Sequence, residues 1–409
     1  MKDHYAENAG RMRKRFAKSC KKKGAKPLFG LELEQFLVDS VSYESIAYEG
    51  ADGVEGILNE LRPCYTVPTY SEGRLIGLSR EDLAITIEPA AQFEVSISPQ
   101  TEIGAIDRIY RRFEDEIRPI LSRRHLSLVA CGYQPKSRID DLPLIPKKRY
   151  EFMYRYFRKL NGLGPNMMKG TASVHFSIDY FCEENFSEKY GVVYALAPVL
   201  SFLTENTHVY EGKPYSGHLL RMKIWEETDP LRVDVQSCIN EGGMNFDRYI
   251  GFVAKAPVIV EEIGEGEVYS EKTIGELMSE RTYDDAGLDH LLSMVFPLIR
   301  VKSFLEIRVA DSMPYEAVRA YMLLIKGLFT VTDDACSYVK RLLEGNPDWY
   351  ASAYEKISRD GAEASFSGKT LRSIVQDITE LALSHLKGEE KEYLASYEPN
   401  LKREGRLLV

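Results

Sequence analysis

No run of eighteen apolar residues occurs in this 409-residue chain, so the sequence predicts no membrane-spanning helix. The opening stretch MKDHYAENAGRMRKRFAKSCKKKGAK is charged and has no apolar core, so it does not read as a secretory signal. No two cysteines share a CxxC or other metal-type spacing. Cys20, Cys64, Cys131, Cys182, Cys238 and Cys336 are scattered, are expected to be free thiols, and disfavour a thiolate zinc site. The expectation is a soluble, cytoplasmic protein. Basic charge is not in excess either: 53 Lys and Arg against 62 Asp and Glu leave −9, which argues against a nucleic-acid partner. The one basic stretch, Arg11–Lys26, contains Phe16 but no interleaved aromatics for base stacking, and reads as a solvated helix face. Internal repeats, low-complexity tracts and long linkers are missing, so no clean domain boundary is visible. Neither GxxxxGK[ST] nor GxGxxG after a strand is found, and GLGPNMMKG has the glycines at the wrong spacing.

What is present is a 44% hydrophobic composition, sufficient for a large core. Periodicity predicts helices over 4–23, 43–61, 101–125, 147–160 and 187–206. Strands are expected at 28–38, 65–69, 74–78, 126–135, 171–180 and 301–311, with 83–99 forming two extended pieces joined at Pro89. From Pro314 onward the pattern is mostly helical, with a basic tail after Pro399. Strands and helices that do not alternate strictly imply an α+β fold with a mainly antiparallel sheet backed by helices.

Four of these strands carry acids where a strand normally avoids them. In FGLELEQFLVD, Glu32, Glu34 and Phe36 fall on one face, opposite Leu31, Leu33 and Leu37. FEVSISP sets Gln92, Glu94, Ser96 and Ser98 together, and TASVHFSIDY sets Thr171, Ser173, His175, Ser177 and Asp179 together. In SFLEIRVAD, Glu306, Arg308 and Ala310 share a face, and Glu88 precedes the Pro89 turn. A half-wet sheet would explain polar outer faces. It does not explain faces that lack lysine and are rich in glutamate, a residue depleted in strands. Glu32, Glu34, Glu88, Glu94 and Glu306 gathered around hard divalent cations would resolve the repulsion, with Mg²⁺ or Mn²⁺ suited to oxygen donors and at most one histidine. Arg308 beside Glu306 would complement phosphate charge.

Taken in order, GLELEQF, ITIEPAAQFEVSISP, CGYQPKSRIDDLPLIPKKRYEFMYRYF, TASVHFSID, GHLLRMKIWEETDPLR and FLEIRVAD resemble the glutamate–cysteine ligases, most closely their plant-type and proteobacterial branch. The resemblance runs from about residue 28 to about 330. It implies a curved, mainly antiparallel sheet forming a funnel with helices outside, similar to the catalytic sheet of glutamine synthetase. It also implies an ATP-dependent ligase joining L-glutamate to L-cysteine, acting as a monomer or homodimer. Residues 1–330 would be the catalytic domain, and 331–409 a mostly helical region packed on it. On this resemblance Glu32, Glu88 and Glu94 hold one Mg²⁺, and Glu34 and Glu306 another. His175 becomes a nucleotide-side ligand, and Arg308 and Glu306 catalytic groups, Arg308 meeting the nucleotide's phosphate. Arg221 pairs with the α-carboxylate of glutamate, and Arg232 is a second anion-binding group. Gln92 is either a substrate partner or a satisfied polar residue, His175 could be structural, and Trp225 reads as packing. Ala90 and Ala91 stand where the branch usually has two glycines, and His175 replaces its common glutamine. Two other readings stay open: a ligase using another amine, and a catalytically silent homologue that binds metabolites or protein partners.

Overall fold

A computed structural model describes residues 3–22, 24–50, 52–263 and 266–408. The strand signals resolve into one nine-stranded sheet, antiparallel at every pairing. Its strands are β1 (Phe29–Asp39), β2 (Val67–Ser71), β3 (Arg74–Ser79), β4 (Leu83–Ile87), β5 (Phe93–Gln100), β6 (Leu126–Val129), β7 (Ser173–Ile178), β8 (Ile299–Val301) and β9 (Leu305–Asp311). The order across the sheet is β8-β9-β7-β1-β5-β4-β3-β2, with β6 paired to the far end of β1. The fold is α+β.

Alternation divides each central strand between two environments. Leu31, Leu33, Phe93, Val95, Val174, Phe176, Leu305 and Ile307 enter one core shared with the helices. Each such fully buried side chain contributes about 1.5–3 kcal/mol. The opposite face carries the acids. Further along β1 that same face supplies Phe36 and Val38, which form a separate small core with Ala172.

Four expectations are corrected. The helix over 43–61 shrinks to Val54–Leu61, because Gly50 takes a φ of +97° and Gly53 is extended. The strand over 126–135 stops at Val129, where pairing with Phe36–Asp39 ends. The strand over 301–311 is a hairpin, with Arg300 directly opposite Glu306. Within β9 a register shift between Ile307 and Ala310 sets Ala310 opposite Val174, in the core rather than beside Arg308. Such a bulge inserts one residue and re-aims its neighbours.

The join at Pro89 is a three-residue β4–β5 hairpin. Ala91 N–H donates to the Glu88 carbonyl at 2.9 Å, and Glu88 N–H to that of Gln92 at 2.9 Å. Ala91 sits at φ +69°, the left-handed position of this loop type, which explains why a glycine is at home there.

Helices cover the sheet: α1 (Tyr5–Ser19), α2 (Val54–Leu61), α3 (Ile103–Arg123), α4 (Lys148–Leu160), α5 (Gly164–Gly170), α6 (Glu183–Leu203) and α7 (Leu220–Glu226). Past Pro314, helix Tyr315–Thr330 and those following it pack on α6 and on one another. The tail beyond Pro399 is not loose: it continues helix Glu398–Glu404, with Leu401 and Leu407 buried.

Candidate active site

The acid-bearing face opens into a cavity of about 440 Å³. Glu32, Glu34, Glu88, Gln92, Glu94, His175 and Arg308 all line it. Register explains the convergence. Glu32 on β1 lies opposite His175 on β7, and Glu34 lies opposite Glu94 on β5. Directly opposed residues point to the same side of a sheet. Glu306 is fully buried and reaches the same region through Arg308 and Lys302.

The acids form two groups of opposite character. In the first, ligand atoms of Glu32, His175 and Glu306 lie within 4.8 Å of one another. Glu306 is surrounded by cations: Arg300 Nε at 2.7 Å, Arg308 Nη1 at 2.9 Å and Lys302 Nζ at 2.6 Å. Burial pushes its pKa up, but Arg300, Arg308 and Lys302 more than reverse that and hold it well below the carboxylate range. Burial and the Glu306 charge also act upward on Glu32. The hydrogen bond with His175 (2.9 Å) and the Lys302 charge outweigh them. His175, buried and beside Arg308, falls to about 4 and is a neutral imidazole near neutral pH.

In the second group the acids face one another. Burial first, and then the charge of Glu94, lift Glu34 to about 7. Burial, Glu88 and Glu32 lift Glu94 to about 8. Burial and Glu34 raise Glu88 too, against a partial offset from Lys147. Short neutral contacts support these carboxyls: Ser173 N–H and Oγ donate to Glu34 at 2.7 and 2.8 Å, and Ser96 Oγ donates to Glu94 at 2.8 Å. The grouping therefore differs from the one expected. Glu32 stands with Glu306 and His175, and Glu34 with Glu88 and Glu94.

The remaining expected residues separate. Arg308 lines the cavity, and its buried Nε has no hydrogen-bond partner. Arg221 lies one layer back. Its guanidinium is 4.6 Å from the Trp225 ring centroid, Nη2 donates to the Arg308 carbonyl at 2.7 Å, and Nε is unpartnered. Gln92 is satisfied by backbone: it accepts from Ala90 N–H at 2.8 Å and donates to the carbonyls of Met168 and Thr171 at 3.1 and 3.2 Å. It thereby ties the β4–β5 turn to α5. Arg232, expected to bind an anion, is instead enclosed in the core. It donates to the Met294 and Pro257 carbonyls, contacts Asp229 at 3.0 Å, and its guanidinium lies 4.9 Å from the Tyr156 ring centroid. Its Nε makes the Asp229 contact without a hydrogen bond, but Arg232 does not line the cavity.

Four basic residues were not singled out from the sequence: Lys147, Arg149, Arg300 and Lys302 all line the cavity. The hairpin split conceals Arg300 and Lys302, since only the β8–β9 turn brings Arg300 across from Glu306. Lys147 and Arg149 lie in PKKRYEF at the entry to α4, where the period marks only a helix. Arg149 is held by Ser293 Oγ at 3.0 Å. Arg300, Lys302 and Ser293 also line a larger groove of about 750 Å³, bounded by Arg11, Lys14, Arg15 and Lys18 of α1. The basic N-terminal stretch thus borders the site.

The site is thus one face of an antiparallel sheet in an α+β fold, on which carboxylates of two kinds surround one arginine. Comparison with known proteins supplies the family. The model of glutamate–cysteine ligase family 2 (GCS2) matches residues 28–406, and the chain belongs to that family of carbon–nitrogen ligases. It is 26% identical over 386 residues to the chloroplastic glutamate–cysteine ligase of Nicotiana tabacum, covering 90% of this chain and 71% of that one. The Arabidopsis thaliana enzyme of the same name is 26% identical over 381 residues, covering 90% and 71%. Among solved structures, the glutamate–cysteine ligase of Francisella tularensis in complex with AMP superposes with a TM-score of 0.50. Its identity is 14%, over 93% of this chain and 82% of that one, and the likeness is one of fold. Among the described residues no helix is long and apolar enough to cross a membrane.

Proposed function

We propose that the protein joins the γ-carboxylate of L-glutamate to the amine of L-cysteine, with ATP converted to ADP and phosphate, as the first step of glutathione biosynthesis. The observation that carries this reading is the pair of unlike carboxylate groups flanking Arg308 in one basin. An oxygen of the γ-carboxylate attacks the γ-phosphorus, and the bond to the ADP oxygen breaks. The cysteine nitrogen then attacks the acyl carbon of γ-glutamyl phosphate, phosphate leaves with the C–O electrons, and the nitrogen gives up a proton. Both steps bring negatively charged or electron-rich groups together, so orientation and charge neutralisation dominate the barrier.

The residues fit Mg²⁺, and Mn²⁺ suits the same donors. Glu34, Glu88 and Glu94 would hold one cation, because burial and mutual repulsion raise all three, and the charges of Lys147, Arg221 and Arg308 offset this only in part. Glu32, His175 and Glu306 would hold another, as their ligand atoms already lie within reach of one point. Bound there, the cations supply the positive charge that a triphosphate and a carboxylate need to approach each other. Arg308, with an unpartnered Nε, binds the transferring phosphoryl group. Glu306 fixes the Arg308 guanidinium through the 2.9 Å bond. Arg221, also with an orphaned Nε, takes the glutamate α-carboxylate once Trp225 moves aside. Gln92 shapes the substrate wall through the β4–β5 turn. The groove along α1 receives the rest of the nucleotide, its basic side chains continuing the positive path of Arg300 and Lys302.

The catalytic unit would comprise 1–330, with helices after 331 buttressing α6. Six free cysteines support a reducing, cytoplasmic setting. ADP release with glutamate plus each amino acid in turn tests the reaction. Cysteine should give the highest rate, and a much faster rate with another amine would overturn the acceptor named here.

A further inference from the structure

The helical region beyond the sequence motifs walls a second cavity, of about 350 Å³, between α6, α7, residues 230–236 and helix Trp349–Asp360. Its lining is of two kinds. Tyr194, Trp225, Trp349, Tyr350 and Tyr354 supply aromatic surface, and Glu226 and Asp234 supply negative charge. Among the described residues no Lys, Arg or His lines it. The two acids are near enough to act on each other: burial first, and then the Asp234 charge, push Glu226 up to about 7. The tyrosines feel the same field. Tyr194 is raised by burial and then by Asp234, and Tyr354 by burial and then by Glu226. Asp234 Oδ1 accepts from Gln236 N–H at 2.7 Å, but among the described residues neither carboxylate has a cationic partner, and two such groups set among aromatic rings are complementary to a positive charge carried on an apolar body.

We propose that this cavity binds a small organic ammonium ion, its charged end held by Glu226 and Asp234 and its apolar body by the aromatic side chains. An anion would meet two like charges. An uncharged ligand would leave both carboxylates unneutralised. The site has a connection to the basin through Trp225, which lines both cavities. Its Nε1 donates to the Phe296 carbonyl at 2.8 Å, and it carries the Arg221 guanidinium that in turn holds the Arg308 carbonyl. An occupant therefore touches a side chain that walls the basin. Binding itself does not depend on which reaction the basin performs.

The chain has 2 tryptophans, and both line this cavity, so intrinsic tryptophan emission reports on it; because Trp225 also walls the basin, the variants at Glu226 and Asp234 assign the response to this site. Benzyltrimethylammonium titrated into the full chain should produce a saturable change in emission. Benzyl alcohol and benzoate at the same concentrations should produce none. The double variant E226Q/D234N should weaken binding by about ten-fold or more, with an unchanged far-ultraviolet circular dichroism spectrum. If that variant does not fold, E226Q alone should weaken it by about three-fold or more. No saturation, an equal response to benzyl alcohol, or undiminished affinity in the folded variant would overturn the site.

Discussion

The two ends of the acid basin are built from the same residue type on neighbouring strands, yet they behave oppositely. At one end Arg300, Lys302 and Arg308 crowd around Glu306, and the protein supplies its own counter-charge. At the other, Glu34, Glu88 and Glu94 face one another, bonded by serine hydroxyls, and the charges of Lys147, Arg221 and Arg308 only partly offset burial and repulsion. A carboxylate already paired with cations holds the surrounding strands together. A carboxylate raised by its neighbours is a vacancy for positive charge. The difference predicts that equivalent-looking substitutions act on different properties.

The largest effect should come from Glu306→Gln. Removing this charge strands three cations around a buried amide, and breaking such a pair costs about 3–5 kcal/mol. Urea unfolding of the cation-free protein measures it; a loss near zero would erase the contrast between the ends. Next, Glu94→Gln should lower turnover by about 10²–10³-fold through lost cation binding and charge stabilisation. Unlike Glu306→Gln, it should leave the cation-free protein at least as stable as the parent, because it removes a repelling charge. A destabilised Glu94→Gln would show that the second group is paired after all.

The third prediction concerns pH. Glu34 and Glu94 titrate near 7 and 8 in the folded, cation-free protein, against an ordinary 4.5. Between these values the folded state binds more protons than the unfolded one, so stability from these groups falls as pH rises through the window. A divalent cation must displace those protons, so its apparent affinity should rise over the same window. Thermal melts across pH with and without Mg²⁺ read both signs, and an affinity that is flat in pH would contradict them. The smallest effect should be Ala91→Gly. A left-handed alanine costs about 1 kcal/mol relative to glycine, so the variant should be more stable by about that amount. Stability unchanged in urea would mean that the turn tolerates the methyl group.

Much of the fold was legible because period-two alternation in FGLELEQF, FEVSISP and TASVHFSID survives into the sheet unchanged. The β8–β9 hairpin was not, because Ile299, Val301, Leu305 and Ile307 keep one parity across the turn and the two arms read as one strand. That concealed Arg300, and with it the reason Glu306 differs from Glu34. The hairpin Pro257–Ile263 with Gly266–Thr273, which brings Glu267 to the basin rim, left no signal in the sequence reading. Arg221 and Arg232 look alike in their shared segment. Only packing shows that Arg232 is closed in by two backbone carbonyls and the Asp229 carboxylate, while Arg221 lies behind Trp225 against the Arg308 carbonyl.

The order of residues alone determined which side chains share a face, since backbone geometry fixes alternation wherever a strand forms. It therefore determined that acids and one arginine would meet above a common sheet. Tertiary structure decided the charge each acid carries. A carboxyl group's ionisation depends on what lies within a few ångströms in space, and those neighbours come from segments hundreds of residues apart.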